Sequence, residues 1–375
     1  MNSHHLLPQR MDLPGTTVCA AGSSENLPAE CARFGPRGLL VHGRSLSKRG
    51  KISKIAATAP AAMEIATWEH PGGEPTLRQL EKLLKTAREF RPDWIAAVGG
   101  GSVMDLAKGC AGLYAEHGNV TAYHDGAPIT TMGLPFVAAP STAGTGSEAT
   151  KVSVLTNEET GIKKSFRSPH MMARLIVLDP GLLKGSPRHV IAHAGMDALT
   201  QAIESYTSTG ATWFTRQLAL RGAQLLFQNL VSAYESEGED LEAAEAILTG
   251  SYLAGVALSS SRLGVVHGLA HPLGARYKLP HGLVCAACLP YVLTYNREAM
   301  GEDYEDLSRA AGTDLLAAVA GLLADLDIDN PFKGRGFYDL DGMIKEVLAS
   351  GSTAHNPREV TTSDARSLIR ELFTY

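Results

Sequence analysis

Residues 94–108 read WIAAVGGGSVMDLAK. An apolar run, Trp94 to Val98, leads straight into Gly99-Gly100-Gly101-Ser102, and a stretch with helical spacing follows. A short uninterrupted apolar run bounded by glycine reads as a strand buried on both faces of a parallel sheet. Strand, glycine turn and helix together aim backbone N–H groups and a helix N-terminus at one point, which suits a phosphate. The glycines let such a ligand approach the backbone closely. The spacing is not G-x-G-x-x-G, so the usual dinucleotide fingerprint is absent, and a plain tight turn is the competing reading.

The pattern repeats on both sides. Upstream, RGLLVHG at 37–43 reads as a buried strand ending in glycine, followed by the basic segment RSLSKRGK. Residues 76–90 have helical spacing, which Arg91-Pro92 stops. Downstream, the apolar run 134–139 enters PSTAGTGSE at 140–148, a loop of small hydroxyls and glycines. Such a loop can wrap a pyrophosphate or ribose, or it can be an ordinary solvated turn. Residues 173–178 make a further strand, ended by Asp179-Pro180. Two glycine-rich loops at strand ends favour one shared ligand at the carboxyl edge of a parallel sheet. After Pro180 the texture becomes helical: 189–208, about 211–235, 240–260, 264–275, 282–296, 304–326, 341–350 and 364–373, the last capped from Thr361–Ser363. The expectation is an α/β domain over 1–183 and an all-helical domain over 184–375.

A chain of 375 residues has two domains as its natural expectation. Hydrophobic residues at 44% and charged residues at 19% allow a sizeable core. A net charge of −5 without a basic run argues against nucleic acid or an anionic membrane as the main partner. No apolar run is read as reaching membrane-spanning length. The first residues, MNSHHLLPQRMDLPG, lack a signal-peptide pattern and read as a short frayed lead-in. Cys19, Cys31, Cys110, Cys285 and Cys288 are odd in number and scattered, which fits free thiols in a reducing cytosol. Cys285-x-x-Cys288 lies in the apolar run LVCAACLPYVL, where buried helical thiols are favoured over zinc or redox chemistry.

Two segments of the helical half carry potential ligands. GVVHGLAHPLGARYKLPH at 264–281 holds His267, His271 and His281. The first two share a helix face at i, i+4, and Gly274 and Pro280 mark a turn before the third. Imidazoles so placed can converge on one cation, or they can be unrelated core and surface histidines. In GMDALTQAIESYTS at 195–208, Asp197 reads as opening a helix after a glycine, with Gln201 one turn later. Such a nitrogen and oxygen donor set suits Fe(II), Zn(II) or a similar divalent ion.

Together these pieces resemble the iron-containing (group III) alcohol dehydrogenases, over nearly the whole chain after about residue 35. GGGSVMDLAK at 99–108 is similar to the family's cofactor motif and PSTAGTGSEAT at 140–150 to its second nucleotide loop. AGMDALTQAIESYTS and GVVHGLAHPLGARYKLPHG are similar to its two metal segments, and NPREVT at 356–361 to its C-terminal signature. The resemblance implies a Rossmann-like nucleotide-binding α/β domain with a parallel sheet and an all-α C-terminal domain, a dehydroquinate synthase-like architecture. It implies an active site between them that takes NAD(P) and one divalent metal, Fe2+ or Zn2+, and moves a hydride between the nicotinamide and a small alcohol/aldehyde pair. Carried over by position, the metal ligands are Asp197, Gln201, His267 and His281, and His271 is the candidate proton relay. The cofactor positions are Gly43, Gly99, Gly100, Gly101, Ser102, Asp105, Ser141, Thr142, Thr145 and Lys163, with Lys164 leaving the last register open.

The departure from the family is Gln201, where the family usually has histidine. An amide oxygen is neutral and weaker than imidazole toward first-row metals. Gln201 therefore ligates through oxygen, or holds a metal-bound water, or the metal is weak or absent. Gly43, followed by Arg44, Lys48 and Arg49, offers cations and no carboxylate near the 2′ position, which leans toward NADP. Arg276 and Lys278 read either as cleft cations for an anionic aldehyde or as solvated turn charges. A cytoplasmic homo-oligomer, a dimer, is the expected assembly by analogy. A metal-free reductase of the maleylacetate type and a lyase resembling 3-dehydroquinate synthase are the alternatives.

Overall fold

The computed structural model describes residues 5–374. The chain forms two compact units. The first comprises 12–142 and 147–184; the second comprises the residues up to Met11, 143–146 and everything from Gly185.

The first unit is built on a six-stranded sheet in the order β1-β8-β5-β4-β2-β3, every paired strand parallel. The strands are β1 (Thr16–Cys19), β2 (Arg37–Gly43), β3 (Glu64–His70), β4 (Trp94–Gly99), β5 (Phe136–Pro140) and β8 (Leu175–Leu178). β4, β5 and β8 are buried along their whole length, as their unbroken apolar runs require. Trp94 fills the core because Gly38 on β2 leaves room: a Cβ there would lie 2.1 Å from the indole. Between β5 and β8 in the chain, β6 (Val152–Thr156) and β7 (Lys163–Arg167) stay out of this sheet and pair antiparallel as a hairpin of their own. The helix Leu77–Phe90 starts at a capping box in which Thr76 and Gln79 satisfy each other's backbone N–H groups. It ends at Arg91 in the left-handed region, φ 56°.

Chain order runs outward from β2 to β3 on one side and from β4 to β5 on the other. The sheet therefore has its topological switch between the carboxyl ends of β2 and β4, the usual place for a ligand in an open α/β sheet. Gly43 and Gly99 end these two neighbouring strands.

The second unit is helical: Arg188–Thr207, Trp213–Glu235, Leu241–Ser261, Val265–Tyr277, His281–Met300, Glu302–Ala311, Leu315–Asp325, Leu340–Ala349 and Thr362–Thr374. The first three pack closely through small residues. A Cβ on Gly195 would meet Leu230 at 2.2 Å, and one on Gly222 would meet the Gly250 carbonyl at 2.8 Å. The expected single helix over 304–326 is two, because Gly312 turns left-handed (φ 79°) and Asp314 caps a new start through the N–H groups of Leu316 and Ala317. Asp197 does not open a helix. Its helix begins at Arg188, and Asp197 lies mid-helix and buried; Gly195 serves close packing, not a turn.

Contrary to the expectation that no stretch reaches membrane-spanning length, the helix Leu241–Ser261 has the length and apolarity of a span. Of that window 56% is buried inside the unit, as for a core helix. The lead-in is also tied down from His5 onward. The carbonyls of His5 and Leu6 accept from the N–H groups of Trp213 and Phe214 at 2.9 and 3.1 Å. These are donors a helix start leaves without intrahelical partners. The rest of the lead-in reading, on residues 1–4, lies outside the described residues.

Candidate active site

The helical unit gathers polar side chains from three helices at one buried point. Asp197 and Gln201 come from Arg188–Thr207, His267 from Val265–Tyr277, and His281 from the first turn of His281–Met300. His267 Nε2 lies 3.4 Å and His281 Nε2 3.7 Å from Asp197 Oδ1. Cys285, one turn after His281, places its Sγ 3.6 Å from His281 Nε2. The donor atoms of Asp197, His267, His281 and Cys285 all lie within 4.8 Å of one another. Asp197, Gln201 and His267 are 3%, 4% and 3% exposed, yet Asp197 Oδ1, Gln201 Oε1 and His267 Nε2 have no hydrogen-bond partner of good geometry among the described residues. The Asp197–His267 approach is thus electrostatic contact without a well-formed hydrogen bond. Buried polar atoms are rarely left so, since each costs roughly 1–3 kcal/mol. Orphaned oxygen and nitrogen donors facing one point are the signature of a cation site, and this donor set fits a divalent metal.

Glu204 orients the cluster. Its Oε2 lies 2.6 Å from His267 Nδ1, and its Oε1 accepts from Val266 N at 2.7 Å. A carboxylate on Nδ1 holds the proton there and turns the Nε2 lone pair inward. The side chains of the cluster act strongly on one another's charge. Burial disfavours the charged imidazole, but Glu204 and Asp197 outweigh it and push His267 up to about 10. Burial also opposes the Asp197 charge, yet His281, His267 and Gln201 hold that carboxyl below the usual range. Burial first, and Asp197 second, push the Cys285 thiol well up. A bound dication reverses this logic by favouring neutral imidazole and thiolate. His271 is exposed, and its ring stacks on His281 with centroids 5.2 Å apart and planes at 25°.

In the sheet unit the two loops meet at the carboxyl edge. Ser141 N donates to Gly99 O at 3.0 Å, joining the ends of β4 and β5. Gly100 faces Thr142, so that a Cβ would come within 3.3 Å of its Oγ1, and a Cβ on Gly99 would meet Val103 at 2.8 Å. Gly99, Gly100, Gly101 and Ser102 thus form a tight turn into the helix Gly101–Leu113, with Ser141 and Thr142 alongside.

Other predicted residues lie differently. Both Asp105 oxygens are engaged, by Ser147 Oγ at 2.7 Å and Val154 N at 3.3 Å, so this carboxylate ties the helix to the second loop and β6. Lys163 Nζ pairs with Glu74 at 2.6 Å. Thr145 falls in the segment 143–146, which packs with the helical unit through Gly146 and Gly255. Arg44 lies 3.3 Å from Glu69, a carboxylate supplied by the neighbouring β3 and invisible in chain order. Arg276, still within the helix Val265–Tyr277, is neither free nor solvated but held by Asp339 and Glu346 at 2.7 and 2.6 Å, while Lys278 is exposed.

The iron-containing alcohol dehydrogenase family matches residues 14–180, and the C-terminal domain of the same family matches residues 191–373. The chain belongs to the iron-containing alcohol dehydrogenase family. Lactaldehyde reductase of Escherichia coli K12 is 31% identical, over 96% of this chain and 98% of that protein. The NADPH-dependent butanol dehydrogenase of Clostridium saccharobutylicum is 32% identical, over 96% and 97%. The crystal structure of a 1,3-propanediol oxidoreductase superposes with a TM-score of 0.91 at 31% identity, covering 98% of this chain and 100% of that one. As an iron-containing alcohol dehydrogenase the chain is an NAD(P)-linked, metal-dependent oxidoreductase acting on CH–OH groups, with the dehydroquinate synthase-like fold.

Sequence reasoning missed two residues of this dehydrogenase's cluster. Glu204 gave no signal beyond its helical spacing, seven after Asp197, which puts both on one face. Cys285 was read as a buried helical thiol, which it is, but His281-x-x-x-Cys285 is also an i, i+4 pair in the first turn of a helix.

Proposed function

We propose that Asp197, His267 and His281, with Gln201 beside them, hold one divalent ion, Fe2+ or Zn2+, in the 184–375 domain, and that the 1–183 domain holds the nucleotide. The observation carrying this reading is that buried Asp197, Gln201 and His267 each keep an atom without a well-formed hydrogen bond, and that Asp197 and His267 share one point with His281. When bound, such an ion supplies Lewis-acid polarisation of an alcohol or aldehyde oxygen. Glu204 keeps the His267 proton on Nδ1. His271, exposed and stacked on His281, is the residue placed to relay a proton between substrate and water. Gly99 to Ser102 present backbone N–H groups and a helix start to the pyrophosphate, with the Ser141 and Thr142 hydroxyls as further donors. Asp105 serves by holding the loop in place. With Gln201 in place of imidazole, these residues bind the ion more weakly than a third histidine would.

For the nucleotide the reading leans to NADP. Gly43 leaves space at the end of β2, and Arg44, Lys48 and Arg49 follow it. Glu69 neutralises part of Arg44, so we expect a modest preference, about tenfold in kcat/KM for NADPH over NADH, worth about 1.4 kcal/mol. A cytoplasmic homodimer is proposed on family analogy alone, and sedimentation velocity reads the assembly. The test of function is a panel of small aldehydes with NADPH and NADH in parallel, beside metal analysis of protein purified without chelator. We expect turnover that tracks bound metal. Full activity in protein stripped of metal would refute the metal reading, and a higher kcat/KM with NADH would refute the cofactor lean.

A further inference from the structure

Resting on the metal reading above, we propose that Cys285 is itself a metal ligand. Its thiolate completes an Asp197/His267/His281/Cys285 donor set in this chain and tilts the site toward zinc.

Three observations carry this inference. First, a tetrahedron with metal bonds of about 2.0–2.3 Å has edges of about 3.3–3.8 Å. The edges Asp197–His267, Asp197–His281 and His281–Cys285 measure 3.4, 3.7 and 3.6 Å. The fourth corner is therefore already at the right spacing from its neighbour, and all four donor atoms fit within 4.8 Å. Second, the cysteine is not alone. Asp197, Gln201 and His267 each leave a polar atom without a hydrogen bond at the same buried place. Third, the charges balance. Gln201 brings no charge and a weak donor, so without a thiolate the ion faces only the Asp197 charge among these ligands. Loss of the thiol proton to solvent makes the donor set carry two negative charges against a dication. Sulfur, nitrogen and carboxylate oxygen in a tetrahedral arrangement suit zinc, whereas iron(II) sites favour nitrogen and oxygen donors.

The helices make the arrangement possible. Cys285 follows His281 by one turn on His281–Met300, just as Gln201 follows Asp197 on its own helix. Cys288 is equally buried on that helix but is outside the donor set, which makes it an internal control.

The full-length protein, stripped with a chelator and reloaded with Co2+, provides the test. Thiolate ligation gives an intense near-ultraviolet sulfur-to-cobalt charge-transfer band beside the visible d–d bands. We expect that band in the unaltered protein and in Cys288→Ser. It should vanish in Cys285→Ser and Cys285→Ala while the d–d bands persist. Zinc X-ray absorption should show one sulfur at about 2.3 Å. Zinc affinity should fall at least about tenfold in Cys285→Ala, the lower end of the effect of residues that only orient a ligand. Should Cys285→Ala fail to fold, the spectrum of the unaltered protein and of the near-isosteric Cys285→Ser still decides. Cobalt d–d bands without charge transfer in the unaltered protein would overturn Cys285 ligation and leave the metal reading intact. Failure to bind either ion stoichiometrically would remove the metal reading and the thiolate with it.

Discussion

Two buried polar clusters, one in each unit, are built from similar materials and end in opposite states. In the sheet unit Lys108 is fully buried, yet its ammonium donates to the Ser147 carbonyl and to Ser147 Oγ, Thr150 Oγ1 and the Val152 carbonyl. Asp105 beside it has both oxygens bonded. In the helical unit Asp197, Gln201 and His267 are as deeply buried, but each leaves an atom unmet. The first cluster finishes its own hydrogen bonding, so it is a fastener. The second leaves donor atoms over, which the proposed ion would take up. Burial of charge alone marks neither fasteners nor sites; what separates them is whether the last acceptor has a donor.

The comparison breaks most sharply at Asp197. Asp197→Ala should remove bound metal and lower kcat/KM by roughly 10^3-fold, since it takes away the ion's electrostatic work. Circular dichroism should stay native, because the cluster is not what holds the helices together. Lys108→Met should do the reverse. It leaves several buried acceptors unmet and should cost about 3 kcal/mol of stability, read from the urea midpoint, with metal content unchanged. A metal-free but equally stable Lys108→Met protein would contradict the fastener reading.

Smaller effects sharpen it. His271→Ala should slow turnover about 100-fold and reshape the pH profile with the metal in place. Unchanged kinetics would remove His271 from the chemistry. Glu204→Gln keeps the side-chain volume but no longer fixes the His267 proton on Nδ1, so zinc affinity measured by competition should fall about 10–100-fold. The mildest effect concerns Glu116, a second satisfied group in the sheet unit. The Thr131 backbone N–H leads the donors that, against burial, hold its carboxyl down at about 2, with Thr130 and Tyr123 adding to it. Its contribution is fully present above its unfolded value near 4.5 and is lost as pH falls toward 2. Glu116→Gln should flatten the acid limb of the stability curve within that window and leave neutral-pH activity alone.

Much of this was legible in the sequence because the determinants were local. Residues 37–43, 94–98, 134–139 and 173–178 announce β2, β4, β5 and β8 through unbroken apolar runs. The edge strand β3, EIATWEH, is half exposed and alternates, and β1 is largely exposed, so neither produced a run. β7, KKSFR, is polar and becomes a strand only through its partner β6. At the site, His267, His271 and His281 were nameable from spacing, whereas Asp197 was read as opening a helix, which it does not do, and its place among the ligands came from the family resemblance. Glu204 and the Glu69 carboxylate at Arg44 were not, because each acts on a residue from another element, whereas the i, i+4 pair of His281 and Cys285 was in plain view and joins the cluster only where Asp197 and His267 arrive from two other helices.

The peptide passes from one unit to the other at 11/12, 142/143, 146/147 and 184/185. A gene cut at residue 184 would therefore yield no independent halves. The upstream fragment would carry away the carbonyls of His5 and Leu6 that hold the first N–H groups of Trp213–Glu235, and it would keep a 143–146 hook with no Gly255 to sit against. Although two family domains divide the sequence cleanly, they are inherited as one foldable object.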